Sequence, residues 1–423
     1  MTSLPRNLHF IGIGGAGMSP LAAIALQAGC RVTGSDREWN AKCGELSAAG
    51  AKIHAGHHAD AMPEETELAV YSSAVPAENP ERQKAAALGI PQLRRGEFLA
   101  VLARSYPKLI AVSGSHGKTS ITAMLVWIFC KCGRNPGWLI GGNVDGIASG
   151  NAGDGTFFLT EADESDTTHT LLSPWLGVVP NADDDHAWSV GGAEALQQNF
   201  RRFAMQSQHL LYRSDRVPDG IFDGHPHSFA PEKLEADLLP GWFGFYRENA
   251  QTALRAAEFA GISLAEGAAA LADFPGACRR MTVHFSSPEL VVIEDYAHHP
   301  AEVRASVAYL RERFPEEHLR ILFQPHRFAR LQKYLPELAQ ELAKADSVVI
   351  APVFAAWSEQ GPVNGADLAT AIGENACYCG GSWQEIAEIL LQTPRKPAVL
   401  AVIGAGDLDR VFAWLPGDNL TAK

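Results

Sequence analysis

Short apolar runs of strand length alternate with longer helical patterns along most of the chain. The runs at residues 8–13, 108–112 and 291–295 are each followed by a turn and then by a pattern typical of a helix. Parallel strands need long crossovers, usually helices, so this order is typical of parallel sheets covered by helices. The sequence therefore predicts an α/β fold.

The pattern of strand, glycine loop or turn, and helix starts three times, which predicts three domains. A chain of 423 residues is also too long for one ordinary hydrophobic core. We predict a Rossmann-like domain over residues 1–107, a central P-loop ATPase-like parallel sheet over 108–280, and a second Rossmann-like domain over 281–423. Residues 208–244 are rich in turns, and no element is assigned there.

Charge and composition restrict the partners. The formal net charge of -13 argues against a general nucleic-acid or anionic-membrane surface, because its long-range field repels both. No apolar stretch reaches the length of a membrane span. Seven cysteines in a chain of this size favour reduced thiols. We therefore expect a cytoplasmic protein that binds neither nucleic acid nor membranes. We also expect a monomer or a homodimer.

The first glycine loop, residues 12–17, reads Gly-Ile-Gly-Gly-Ala-Gly and lies between a predicted strand and a predicted helix. Glycines let the backbone approach a diphosphate, and the helix start offers unpaired N–H groups to the anion. Taken alone, the loop favours NAD, with Asp36 on the ribose. Glycines that only allow the strand and helix to pack are the alternative, and the loop does not reveal which diphosphate it holds.

The second glycine loop, residues 114–119, ends in Gly-Lys-Thr, as a nucleoside triphosphate site requires. Lys118 can compensate the charge on a transferring phosphoryl group, and Thr119 can place a hydroxyl on magnesium. The loop departs from the strict P-loop pattern, because Val112 occupies the position of the first glycine. A lysine at a helix start opposes the helix dipole, so a bound anion would resolve the conflict.

Acidic residues follow the apolar strand at 157–160 directly. This acidic segment, residues 161–166, begins with Glu161, which the strand would deliver to the carboxyl edge of the sheet, beside the phosphates. Carboxylates there are suited to magnesium, although an acidic run is more often a solvated loop. His186, which follows another apolar strand, is a second candidate metal ligand.

Taken together and in order, these motifs resemble those of the Mur ligase family over nearly the whole chain. The resemblance is carried by runs at 9–19, 34–36, 72–74, 114–119, 161–166, 279–280, 295–300 and 323–327, and by Asn181 with Asp185 and His186.

The resemblance implies a site for each substrate of an ATP-dependent ligase that joins L-alanine to UDP-N-acetylmuramate. The sugar nucleotide is implied at Gly14, Gly15, Ala16, Gly17, Met18, Ser35, Asp36, Ser72 and Ser73. ATP is implied at Gly114, Ser115, His116, Gly117, Lys118, Thr119, Ser120, Asn249, Arg280 and Asp295. Mg²⁺ is implied at Thr119, Glu161 and His186, and the amino acid at Tyr296, His298, Arg327 and Arg330. Lys118, Glu161 and His186 are the implied catalytic residues.

The implied reaction transfers the γ-phosphoryl of ATP to a carboxylate, and an amine then attacks the acyl phosphate. Three alternatives stay open at this point. A ligase of the same family could attach a whole peptide, a nicotinamide oxidoreductase could use the first loop, and a non-catalytic relative could still bind the sugar nucleotide. The last alternative depends on a departure from the family pattern in the adenine region, the run 245–248 before Asn249. Pro180, Ala187-Trp188 after His186 and a shorter segment after about Arg202 are further departures.

Overall fold

The computed structural model describes residues 4–184, 187–222, 228–229, 238–356, 360–392 and 397–416. These residues form three sheets and divide into two compact units. The first unit contains the described residues up to Pro240 together with Asn249–Pro275. The second contains Gly241–Glu248 and the described residues from Gly276 onward. None of the described helices is both long enough and apolar enough to cross a membrane.

The first sheet has five parallel strands in the order β3-β2-β1-β4-β5. Its strands are β1 Asn7–Ile11, β2 Arg31–Asp36, β3 Lys52–Ala55, β4 Leu68–Tyr71 and β5 Gln92–Arg94. Its helices are α1 Ser19–Gln27, α2 Ala41–Ala48, α3 Pro80–Ala87 and α4 Arg95–Ala103. Phe10 of β1 and Phe98 of α4 are buried edge to face, with ring centroids 5.4 Å apart. The central strand therefore delivers the first glycine loop to the carboxyl edge of the sheet.

The second sheet has the strand order β12-β11-β10-β6-β9-β7-β8 in the part of the chain that the structure describes. Within this sheet the β7–β8 pair is antiparallel and the other described pairs are parallel. Its strands are β6 Lys108–Val112, β7 Gly137–Leu139, β8 Gly150–Asn151, β9 Phe157–Glu161, β10 Leu176–Val179, β11 His209–Arg213 and β12 Ser228–Phe229. Its helices are α5 Lys118–Lys131, α6 Ala187–Val190, α7 Ala193–Gln206, α8 Gly244–Phe259 and α9 Leu264–Leu271. Strands β11 and β12 lie in the stretch for which the sequence predicted no element.

The third sheet, in the second unit, has the strand order β13-β14-β18-β15-β16-β17. Its strands are β13 Arg280–Ser286, β14 Leu290–Asp295, β15 His318–Phe323, β16 Ser347–Ile350, β17 Ala376–Tyr378 and β18 Ala398–Ile403. Its helices are α10 Pro300–Arg313, α11 Phe328–Leu342, α12 Gly365–Ile372 and α13 Trp383–Leu391. Strands β13 and β14 form an antiparallel hairpin, and the other pairs are parallel. Two hydrophobic clusters pack against this sheet.

The predicted α/β class, with three mainly parallel sheets, is confirmed. The predicted domain boundaries stay predictions. Each sheet falls within one predicted range except for Arg280, which begins β13. The compact units, however, place the first two sheets together and assign residues 241–248 to the second unit.

Candidate active site

The second glycine loop connects the buried strand β6 to helix α5, and two of its glycines cannot be replaced without strain. Gly114 has a φ of +152° and Gly117 a φ of +83°, which L side chains rarely adopt. A Cβ on Gly117 would also lie 2.6 Å from Oδ1 of Asn249. Asn249, predicted to contact ATP, thus packs directly against the loop.

The same loop is held from the end of β10. Oδ1 of Asn181 accepts from the backbone N–H of His116 over 2.9 Å, and Nδ2 of Asn181 donates to the His116 carbonyl over 3.0 Å. The hydroxyl of Ser115 donates to the Asp183 carbonyl over 2.8 Å. These bonds fix the loop backbone, so that its remaining N–H groups are preorganised for an anion.

Lys118 is the first residue of α5, and its ammonium is held by two acceptors. Nζ donates to the Gly114 carbonyl over 2.7 Å and to Oε2 of Glu164 over 2.8 Å. The Lys118 side chain is 14% exposed and that of Glu164 is fully buried. Burial opposes the charged form, but the carboxylates of Glu164, Asp163 and Glu161 outweigh it and raise the pKa of Lys118. Lys118 is therefore a firmly positioned cation at neutral pH.

Glu161, at the end of β9, bridges two parts of the site. Its Oε2 accepts from the Thr119 hydroxyl over 2.9 Å, and its Oε1 accepts from the Gly141 N–H over 2.6 Å. A hydroxyl beside a carboxylate supplies oxygen ligands suited to Mg²⁺. The third predicted ligand, His186, lies outside the described residues. Within the described ranges no group of three or more His, Cys, Asp or Glu side chains could hold a metal ion.

Both glycine loops open into one cavity of about 420 Å³ in the first unit. The N-terminal sheet contributes Gly15, Ala16, Gly17, Met18, Ser72, Ser73 and Arg95 to its lining. The central sheet contributes Lys118, Leu139, Ile140, Gly141, Thr160, Glu161, Asp163 and Thr168. Most of the predicted sugar-nucleotide residues therefore share a cavity with the lysine and carboxylate predicted for ATP and its metal.

Three of the predicted sugar-nucleotide residues lie behind this lining. Asp36 accepts from the Gly14 N–H over 2.7 Å, so its carboxylate braces the first glycine loop. Ser35 is fully buried, and its hydroxyl donates to Glu81 over 2.7 Å. Among the residues that the structure describes, the cavity lining does not include Gly14, Ser35 or Asp36.

Arg95, Gly141, Asp163 and Thr168 line the cavity but are not among the site residues predicted from the sequence. The sequence does contain a signal that could have identified Arg95 as a candidate site residue. It belongs to a pair of arginines at the carboxyl end of β5, the edge at which ligands bind in parallel sheets. Gly141 and Thr168 show no comparable signal in the sequence.

In the second unit, the predicted amino-acid-binding residues His298 and Arg330 both lie beside His326. His298 and His326 have ring centroids 5.5 Å apart, and Arg330 donates to Nδ1 of His326 over 3.2 Å. Burial lowers the pKa of His298. Burial, repulsion from His298 where that ring is protonated, and the charges of Arg330 and Arg327 lower the pKa of His326 to about 4. Both rings are therefore neutral at neutral pH, which leaves the arginines as the cations suited to a carboxylate.

Asp295 and Arg280 flank this group from the β13–β14 hairpin. Arg280 lies 5.2 Å from the centroid of the Tyr296 ring. Asp295 is buried, accepts from the Ser306 hydroxyl, and accepts from the Tyr296 N–H over 3.0 Å. Burial raises the pKa of its carboxyl to about 6. Its carboxylate, predicted to contact ATP, thus faces partners inside the unit.

Arg327 precedes α11 with a φ of +66°, unusual for a residue other than glycine. Its backbone N–H donates to the Phe354 carbonyl over 2.8 Å. Such a conformation persists only where the surroundings hold it, and it is frequent at functional sites.

Comparison with known proteins agrees with these features. Residues 7–107 match the domain described as "Mur ligase family, catalytic domain", and residues 279–406 match "Mur ligase, glutamate ligase domain". UDP-N-acetylmuramate–L-alanine ligases of Syntrophomonas wolfei and Coxiella burnetii are 32% and 35% identical to this chain. The matches cover 95% of the chain and 94% of the first relative, and 97% of both chains for the second.

Among solved structures, the UDP-N-acetylmuramate–alanine ligase of Thermotoga maritima is similar with a TM-score of 0.78 and 25% identity, covering 96% of this chain and 98% of that one. Two glycine loops that share one cavity, a lysine held beside carboxylates, and relatives matched over nearly their full length lead to one conclusion: the chain belongs to the Mur ligase family.

Proposed function

We propose that this protein joins L-alanine to the lactyl carboxylate of UDP-N-acetylmuramate at the expense of ATP, through an acyl phosphate, in the synthesis of peptidoglycan precursors. The observation that carries the proposal is the shared cavity, in which Gly15–Gly17 and Lys118 line one space. A carboxylate is a poor electrophile, so amide formation needs a site where it meets the γ-phosphoryl group. Relatives that carry this activity in their names match the chain over nearly its full length.

In the proposed reaction the sugar nucleotide binds along the first glycine loop, and the triphosphate binds along the second. The carboxylate attacks the γ-phosphorus, the bond to the β-phosphate oxygen breaks, and ADP leaves. Lys118 neutralises charge on the transferring phosphoryl oxygens, while the loop backbone fixes their positions. The amine of alanine then attacks the acyl carbon, and inorganic phosphate leaves.

Mg²⁺ is proposed at Thr119 and Glu161, whose oxygens lie 2.9 Å apart. His186 is carried over from the family pattern as a third ligand. When bound, the ion would supply positive charge to the phosphate oxygens. Thr119 and Glu161 would orient it at the edge of the sheet from which the second glycine loop begins.

We propose that the amino acid binds in the second unit near Tyr296, His298, Arg327 and Arg330. Arg330 donates to His326, which is neutral at neutral pH, and a guanidinium is suited to a bidentate pair with a carboxylate. The predicted cytoplasmic location and the monomeric or homodimeric state also stay predictions.

Phosphate release from ATP by the purified full-length chain tests this function. UDP-N-acetylmuramate is supplied with L-alanine, glycine, L-serine or the recycled tripeptide, each alone. We expect L-alanine to give the highest kcat/KM, with the amide product identified by mass spectrometry. Product with the tripeptide alone would replace the proposal by the peptide ligase. Binding of UDP-sugars with no turnover of any acceptor would identify a non-catalytic relative.

A further inference from the structure

The acidic segment, residues 161–166, holds a cation at each of two points along the cavity. Glu164 holds Lys118 over 2.8 Å, and Asp166 holds the guanidinium of Arg95 over 2.8 Å. Lys118 and Arg95 are the two basic side chains among the described residues that line the cavity. The proposed reaction uses Lys118 and leaves Arg95 without a role.

The two ion pairs differ in how easily they can exchange partners. Glu164 is fully buried, so Lys118 is bound in surroundings that screen the charges poorly. Asp166 is 45% exposed and Arg95 is 31% exposed, so water screens their attraction. Exposed pairs of this kind contribute little net free energy. Arg95 can therefore leave Asp166 for a better anion at low cost.

Arg95 is held in place by its backbone and by its neighbours. It is the first residue of α4, and the next residue, Gly96, packs against Thr168 so closely that a Cβ would lie 2.3 Å from the threonine hydroxyl. A Cβ on Gly17 would lie 2.8 Å from Cδ of Arg95. The Arg95 side chain therefore runs directly beside the last glycine of the first glycine loop.

That position faces the place where a diphosphate would lie. Gly17 lies two residues before α1, a helix of nine residues whose start carries a partial positive charge. A guanidinium presents several donors in one plane and matches phosphate oxygens. Ser72 and Ser73 complete the polar lining on this side of the cavity.

We propose that Arg95 is a sugar-nucleotide-binding residue, which leaves Asp166 and donates hydrogen bonds to the diphosphate. The inference deepens the proposed function, because it rests on a uridine diphosphate sugar as the ligand of the first glycine loop. It does not depend on the ligation step. Binding alone can therefore test it.

The test is calorimetric titration of the full-length chain with UDP, UDP-N-acetylmuramate and ADP, with Arg95→Gln as the variant. Losing a charge-assisted hydrogen bond should weaken UDP and UDP-N-acetylmuramate about tenfold or more, and to a similar degree. ADP binding should change by less than about twofold, since the second glycine loop is untouched. The matched control is Arg94→Gln, an exposed arginine one residue earlier that is not among the cavity lining. It should bind all three ligands as the parent does.

A second variant separates ligand binding from a bracing role. If Arg95 only braces the acidic segment through Asp166, then Asp166→Asn should weaken UDP as much as Arg95→Gln does. The proposal expects Asp166→Asn to bind UDP equally well or more tightly, because the competing carboxylate is gone. Arg95→Lys, which keeps the charge but loses the planar fork, should give an intermediate loss and serves if the glutamine variant does not fold.

Several results would overturn the proposal. Unchanged UDP affinity in Arg95→Gln is one, and an equal loss for ADP is another. A loss confined to UDP-N-acetylmuramate would assign Arg95 to the lactyl carboxylate instead. Normal, Arg95-dependent UDP binding without any ligation would leave this inference intact and sink only the proposed function.

Discussion

The ammonium of Lys118 lies 2.8 Å from the carboxylate of Glu164, and neither side chain is more than 14% exposed. The two residues are 46 positions apart, one at the start of α5 and the other in the acidic segment. The contact connects the start of α5, beside the second glycine loop, to the acidic segment that begins at the end of β9. Removing Lys118 alone takes the cation away from the buried Glu164 carboxylate. The resulting loss of stability can be measured separately from the loss of catalysis.

The first prediction concerns this pair. Lys118→Ala should abolish phosphate release, because Lys118 is the lysine of the second glycine loop that is proposed to neutralise the transferring phosphoryl group. It should also lower the free energy of unfolding by about 3 kcal/mol, the usual cost of leaving one partner of a buried pair uncompensated. Urea unfolding and the phosphate assay measure the two effects.

The double variant Lys118→Ala with Glu164→Gln isolates the catalytic part. A neutral amide needs no cation, so much of the lost stability should return while activity stays absent. Recovery of activity in the double variant would contradict the assigned role of Lys118. Lys131→Ala, an exposed lysine at the other end of α5, is the control for helix propensity and charge.

The second prediction compares two glycines with positive φ. Gly117 and Gly133 have φ values of +83° and +72°, so alanine is strained at both. Only Gly117 has a neighbour in reach, because a Cβ there would meet Asn249 at 2.6 Å whereas Gly133 has open space. Gly133→Ala should cost about 1 kcal/mol of stability and keep full activity.

Gly117→Ala should cost more stability and raise the KM for ATP severalfold, since the loop or Asn249 must move. Thermal unfolding and ATP saturation curves check both variants. Equal effects of the two substitutions would mean that backbone strain alone matters and that Asn249 does not constrain the loop.

The glycine loops and the order of strands and helices could be predicted because they are local features. A glycine after an apolar strand predicts a loop at the carboxyl edge of a sheet, whatever the rest of the chain does. Contacts between distant residues carry no such signal. Nothing in the sequence pairs Arg95 with Asp166, which are 71 positions apart.

The direction of side chains at the ends of strands could not be predicted from the sequence either. Ser35 and Asp36 end β2, and both were predicted to contact the sugar nucleotide. Successive side chains on a strand point to opposite faces, so these two residues meet different surroundings. Ser35 faces the buried Glu81, while Asp36 turns to the first glycine loop. Without an assignment of faces, the motif alone could not separate them.

The third prediction concerns the buried carboxylate of Glu81, which contacts residues of β1 and β2. Glu81 contacts His9 over 2.6 Å, accepts from Ser35 over 2.7 Å, and lies 3.0 Å from Nδ1 of His57. Burial alone would raise its pKa, but hydrogen bonds with His9 and Ser35, the charge of His9 and the bond with His57 together lower it. A lowered pKa means that the folded state favours the carboxylate.

This carboxylate therefore stabilises the fold above the ordinary pKa of 4.5, and the contribution disappears as the pH falls through the lower folded value. Glu81→Gln should lower the free energy of unfolding by about 1–3 kcal/mol at neutral pH, and the difference from the parent should shrink in acid. Urea unfolding across this pH range measures it. Glu78→Gln, an exposed neighbour, should show no such pH dependence, and a constant difference for Glu81→Gln would refute the assignment.

The fourth prediction concerns Asp295, whose contribution to stability should change with pH in the opposite direction to that of Glu81. Burial raises the pKa of Asp295 from 3.8 to about 6, so the folded state holds its proton over a range in which the unfolded chain has released it. Stability at this site is fully present below the unfolded value and is lost as the pH rises towards the folded one. The full shift corresponds to at most about 3 kcal/mol between acidic and neutral pH.

Asp295→Asn keeps the shape of the side chain and removes its titration. The parent loses stability as the pH rises from about 4 to about 7, so the free energy of unfolding of the variant should increase relative to that of the parent over this range. The amide can still accept from the Ser306 hydroxyl or from the Tyr296 N–H, which limits the cost of the substitution itself. Urea unfolding of parent and variant at several pH values gives the difference directly. A difference that stays flat, or that grows towards acid, would mean that Arg280 and the hydrogen bonds keep the carboxylate ionised, and Asp295 would then present a full negative charge to any ligand beside Tyr296.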